Sequence, residues 1–173
     1  MMTVGPWTLP DELEALIASG YWPNAANANR QNLESLVPQD RVRAFAPEED
    51  RIWFDPPPFT LVSDLIAQGD DHAFWRREEA HPDGISPEHS VVIGDFGLGS
   101  DAPIILDYRR DEKRPAVLRL KWGRTFADNR WILASESFAG MCATLGISPT
   151  KTTKAQQGVG GQPATRRESE IET

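Results

Sequence analysis

Residues 116–122 carry the cleanest alternation in the chain. Ala116, Leu118, Leu120 and Trp122 fall on one side, Arg119 and Lys121 on the other. A period of two with polar residues opposite predicts a strand with one wet face, so an antiparallel sheet is expected rather than a buried parallel one. Ser90 to Ile93, Ile104 to Tyr108 and Arg130 to Ala134 are three further apolar, strand-like runs. A glycine-rich loop over 94–100, a charged hairpin loop over 109–115 and a turn through Asp128 and Asn129 connect them. The period then becomes helical, with Phe138, Met141, Cys142 and Leu145 on one stripe. Ser135 is the expected N-cap, Glu136 the first-turn acid and Gly146 the C-cap. Four strands and a closing helix predict an α+β domain: a mostly antiparallel sheet of about four to six strands with flanking helices.

The first half is less regular. Leu13, Leu16 and Ile17 share one face of a short helix expected over 10–20, with acids at its positive end and Gly20 to stop it. Residues 31–37 read as one or two helical turns packing Leu33, Leu36 and Val37, stopped by Pro38. Arg51 to Phe54 is a short strand running into Asp55-Pro56-Pro57-Pro58, which cannot pair in a sheet interior. Helical turns are expected over 63–68, with Gly69 as stop, and over 73–80, carrying Phe74 and Trp75 inward. His81-Pro82-Asp83-Gly84 is turn chemistry. Beyond Ser148 the pattern ends and large apolar residues nearly vanish. Residues 1–147 are therefore expected to fold as one domain and 148–173 to form a disordered tail.

Composition narrows the function. The 173 residues suit one domain with a real core. The formal net charge of −8 repels nucleic-acid phosphates and anionic membranes, so neither is an expected partner. The same charge speeds encounter with a basic protein, although it also serves solubility alone. A single cysteine, Cys142, cannot make an internal disulfide. The N-terminal residues lack a signal-peptide pattern, and no stretch approaches the ~20 apolar residues of a membrane span, so a cytoplasmic location is expected.

The motifs that could carry chemistry have plainer structural explanations. Gly94-Asp95-Phe96-Gly97-Leu98-Gly99 resembles a phosphate cradle or a kinase Asp-Phe-Gly only out of context, because a strand follows rather than a helix and no companion motif exists. A tight loop between strands explains it. His72, His81 and His89 show no recurring metal-ligand spacing. Ser90 and Ser100 lack a nucleophile elbow, and Cys142 sits on the apolar stripe. Pairs such as Asp95 with Asp101 and Glu78 with Glu79 are expected by chance among 26 acids. Asp107, at the end of an apolar strand, is placed to accept backbone N–H bonds and to pair with Arg109, locking a hairpin.

Ile93-Gly94-Asp95, Gly99-Ser100-Asp101-Ala102-Pro103-Ile104 and Leu106-Asp107-Tyr108-Arg109 together resemble the core of the SUKH superfamily, which includes proteins similar to the fungal cell-wall assembly regulator of the SMI-KNR type. Pro115-Ala116-Val117 with the strand ending at Trp122, then Trp131-Ile132-Leu133-Ala134, Ser137-Phe138 and Leu145-Gly146, fit its following strands and closing helix. The Leu9-Pro10 helix and Pro56-Pro57-Pro58-Phe59 are also similar. The resemblance covers about 9–147 and is sharpest over 91–146. It implies an α+β domain with no fixed catalytic residue, in which Gly94, Asp95, Gly99, Asp101, Asp107, Tyr108, Trp122 and Phe138 determine the fold. Bacterial members are typically immunity proteins that bind and neutralise toxins, often nucleases; others are adaptor or regulatory domains.

The function expected from the sequence is thus non-enzymatic protein binding, without cofactor or metal. A basic toxin domain is the first expected partner and an endogenous protein the alternative; a small hydrolase or nucleotide-binding enzyme ranks last. Candidate contacts are Glu48, Glu49, Asp50, Asp70 and Asp71, expected in exposed loops. Trp53 and Trp75 are candidate aromatic anchors, for which core packing is the competing explanation.

Overall fold

The computed structural model describes residues 1–70, 72–76, 84–97 and 100–149. Its main sheet has six strands: β3 (Trp53–Phe54), β4 (Thr60–Leu61), β5 (Ser90–Asp95), β6 (Pro103–Asp107), β7 (Ala116–Lys121) and β8 (Arg130–Ser135). The long strands form an antiparallel meander from β5 to β8. β3 and β4 both pair antiparallel with β5, β3 with its end and β4 with its start. A separate hairpin, β1 (Thr3–Val4) and β2 (Trp7–Thr8), lies near the N-terminus. The helices are α1 (Asp11–Ala18), α2 (Arg30–Leu33), α3 (Gln39–Phe45), α4 (Val62–Ala67) and α5 (Phe138–Leu145). This is an α+β fold, as the alternation and closing helix predict.

Register fixes which side chains share a face. Val91, Leu106 and Val117 point one way; Val92, Ile105, Leu118 and Leu133 point the other. α5 packs on the first face against β7 and β8, and α1 and α3 pack against α5. Phe138, Met141, Cys142 and Leu145 are all buried there. The Trp22 ring stacks 4.1 Å from Phe54 and lies 5.8 Å from Phe138, tying the α1 end to both the sheet and α5. On the opposite face Trp75 stacks 5.9 Å from Trp131, and the Trp131 indole N–H donates to Phe74 O at 2.8 Å. The second face is thus covered in part, and Leu133 on it stays 43% exposed. Arg119, expected on a wet face, is buried, because alternation sets the side a residue points to and not what packs there.

Other departures have local reasons. The N-cap of α5 is Ser137, whose hydroxyl accepts from Gly140 N at 3.1 Å; Ser135 still belongs to β8, and Glu136 precedes the helix. In α2 the buried residue is Gln31, which both donates to and accepts from the Phe54 backbone at 2.8 Å, while Leu33 is 89% exposed. α3 begins directly after Pro38, a residue suited to a helix start as well as a stop. The expected turns over 77–83, Gly99 of the glycine loop, and the tail from residue 150 onward lie outside the described residues.

Two sheet features have named causes. Gly94 lies where β3 crosses β5, and a Cβ there would come within 2.2 Å of Trp53 O. Gly94→Ala is expected to lower stability by ~1–3 kcal/mol in urea titration, since the backbone must move to admit it. β8 is an edge strand, and its register against β7 shifts beside Ala134. Such a shift twists an edge away from further pairing.

Candidate partner-binding surface

The α3–β3 connection and the β5–β6 connection meet at one end of the sheet. The Glu49 carboxylate accepts from Ser100 Oγ at 2.8 Å, and Ser100 O accepts from the Trp122 indole N–H at 2.5 Å. Trp53 pairs directly across from Asp95, whose carboxylate accepts from Gly97 N at 2.6 Å. The fold thus gathers Glu48, Glu49, Asp50, Trp53, Asp55, Asp95 and Asp101 from two stretches of chain, 48–55 and 95–101, that the β3–β5 pairing brings together. Asp101 is held at φ 48°, a left-handed conformation that aspartate tolerates better than most residues.

These acids are not equivalent. Glu48 pairs with Arg119 Nη1 at 2.5 Å and with Nη2 at 3.3 Å, and the Arg119 guanidinium also lies 5.9 Å from the Phe96 ring centre. Burial works to raise the Glu48 pKa, but the bonds and charge of Arg119, with Lys121, outweigh it and hold the carboxyl below its ordinary value. Asp50 is exposed and pairs with Arg43 at 2.6 Å. Glu49 is only 8% exposed, against the expectation of an exposed loop; burial, with Glu48 and Asp50 nearby, raises its pKa despite the Ser100 bond. Burial also raises Asp95, with Asp101 adding repulsion. Asp55 is raised to about 6, mainly by burial and then by Asp95. Glu49, Asp55, Asp95 and Asp101 make no ion pair among the described residues. The rim therefore holds four carboxylates without a direct ion pair, of which Glu49 still feels the Arg119 charge.

That concentration has a measurable cost. The folded state binds the Asp55 proton more tightly than the unfolded chain does, so this stabilisation is complete below pH ~4 and is lost as pH rises to about 6. Asp55→Asn removes the titration. The variant is expected to be more stable than wild type by ~1–3 kcal/mol above pH 6 and to show a flatter stability profile between pH 4 and 6. Thermal unfolding at pH 4 and pH 7.5 measures both.

The remaining candidates divide. Trp75 is buried against Trp131 and belongs to the core, so it cannot serve as an anchor. Trp53 is half-buried at the rim with the Arg51 guanidinium 5.8 Å from its ring centre. Trp122 is 37% exposed and bridges the rim to a second acid: its ring meets Phe74 edge-on at 5.4 Å, Phe74 stacks on His72, and His72 lies 3.8 Å from Asp70. Trp122 is thus the exposed aromatic that alternation had assigned to the covered side; the signal available was its position at the strand end, just before Gly123. Asp71 lies outside the described residues. Asp107 accepts from Arg109 N at 3.1 Å and from the guanidinium at 2.7 Å, locking the β6 end. Tyr108 is buried and its hydroxyl donates to Thr8 O at 2.9 Å, fastening the N-terminal hairpin.

One contact of catalytic type was not foreseen. Ser86 Oγ and His89 Nδ1 are 2.8 Å apart. Glu88 bonds Ser86 at 3.3 Å instead of orienting the imidazole, and the ring packs on Trp7. The pair lies within one 3-10 turn, Pro87–His89, and lacks the relay order of a nucleophile, base and orienting acid. Burial pushes the Cys142 thiol up to about 12, which leaves it protonated and a poor nucleophile. Among the described residues no cluster of three His, Cys, Asp or Glu is placed to hold a metal ion, and no helix is long and apolar enough to cross a membrane. No protein-family model, curated protein or solved structure matches the chain.

Proposed function

We propose that this protein is a cytoplasmic, non-enzymatic binder that neutralises a toxin domain with a basic surface by covering it stoichiometrically. The observation that carries this reading is the acidic rim. Four carboxylates without ion-pair partners among the described residues, at Glu49, Asp55, Asp95 and Asp101, sit beside the half-buried Trp53. Acidic charge without a direct ion pair steers a basic partner, and the exposed edge of Trp122 supplies an aromatic contact of the kind that slows dissociation. The resemblance of residues 91–146 to SUKH immunity proteins points to the same class of partner.

The test identifies the partner by pull-down and mass spectrometry and then uses the captured basic toxin domain in purified form. Purified protein is expected to abolish toxin activity at a one-to-one ratio. Stopped-flow association is expected to slow as salt rises, and to slow at low salt in Asp95→Asn/Asp101→Asn. Full toxin activity at equimolar protein refutes the reading. An association rate indifferent to both salt and the double substitution refutes its electrostatic basis.

A further inference from the structure

β3 and β4 pair with opposite ends of β5, so residues 55–59 leave the sheet between them and rejoin it. The Asp55 backbone anchors this excursion: its N–H donates to Ile93 O at 2.9 Å, and its carbonyl accepts from the Trp22 indole at 2.8 Å. The excursion leaves a groove along the β5 edge. Pro56, Pro58, Phe59, Leu65 and Val92 form its largely apolar wall, and Asp55 is its one acid. The volume is about 240 Å³, room for an extended aliphatic side chain.

The Asp55 carboxylate has no hydrogen bond or ion pair among the described residues, and the residue is half-buried at the groove. The charge acting on it is Asp95, of the same sign. A half-buried carboxylate that is unpaired and repelled by a like charge is costly to ionise, and a cation brought in from outside offsets that cost. The wall chemistry says what carries the cation. Proline, phenylalanine, leucine and valine offer apolar contact to an alkyl stem, and Asp55 is an acceptor for the charged head of either a lysine or an arginine.

We propose that this groove binds an alkyl cation, the basic side chain of a positively charged partner, for which butylammonium is the minimal probe. The inference rests on the reading of a basic partner given above and adds the kind of side chain that is recognised and where it enters.

The experiment needs no partner. Butylammonium chloride is titrated into the full chain and followed by amide chemical shifts. Saturable shifts in the ~10 mM range, as a single half-buried ion pair with a short stem would give, are expected at Thr60, Leu65 and Val92. The Asp55 carboxyl is expected to titrate lower with the probe bound. Asp55→Asn is expected to abolish saturation, while Asp101→Asn, outside the groove, leaves it within twofold. 1-Butanol, which keeps the stem and lacks the charge, is expected to give no saturable shift at these amides. Absence of saturable shifts up to ~100 mM, or equal shifts in Asp55→Asn or with 1-butanol, overturns the assignment. Such a failure alongside one-to-one toxin neutralisation removes the groove and leaves the proposed function standing.

Discussion

Glu48→Ala is expected to destabilise the fold by ~3 kcal/mol or more. The reason lies in its partner. The Arg119 side chain is 5% exposed, and Glu48 is the acid that both of its terminal nitrogens reach. Removing Glu48 leaves a guanidinium under the α3–β3 connection with no direct ion-pair partner, only the charge of Glu49 nearby, and Arg119 Nε already lacks a partner among the described residues. Replacing both residues together, as Glu48→Leu/Arg119→Met, is expected to be nearly neutral, because the buried charge then disappears along with its counter-ion. Urea titration of the single and double variants measures the difference. A loss under ~1 kcal/mol in Glu48→Ala would show that the guanidinium reaches water. The result also bears on function: neutralising residues 48–50 as a block removes a structural pair and would confound a binding assay, so the rim is better probed at Asp95 and Asp101.

Phe138→Ala is expected to cost ~3–5 kcal/mol, with no compensating change in the slope of the denaturation curve. Phe138 is the first residue of α5, 1% exposed, and its ring meets Trp22, which in turn stacks on Phe54 and lies 6.4 Å edge-on to Phe59. Deleting it opens a cavity where a helix, the α1 end and β3 converge. Little can collapse into that space, because Trp22 is held by its bond to Asp55 O. A near-neutral effect would mean that α5 does not close the sheet. The same contacts couple core to function, since Asp55 anchors Trp22 through its carbonyl and lines the groove beside it.

The division between what the chain shows and what the fold adds follows from range. Local patterns were sufficient for the α5 stripe, the four long strands and the Asp107–Arg109 lock, because each depends on residues within a few positions of one another. The glycine-rich stretch was legible as a tight passage, but the cause at Gly94, the Trp53 carbonyl 41 positions away, was not. Burial of Arg119 and Glu49, the exposure of Trp122 and the partial cover of the second sheet face were decided by which segments pack where, and alternation carries no information about that. Glu48 looked like part of an exposed acidic run because charge is read locally; its partner lies 71 residues on. What the sequence determined by itself is therefore the α+β plan, the closing helix and an acidic character with no local catalytic motif. Only the tertiary structure decided that the acids at 48–55 and 95–101 form one rim, that part of it is structural, and that Asp55 sits unpaired in an apolar groove. Those properties depend on contacts between residues far apart in the chain, and they exist only once the sheet has brought its two loops to the same end.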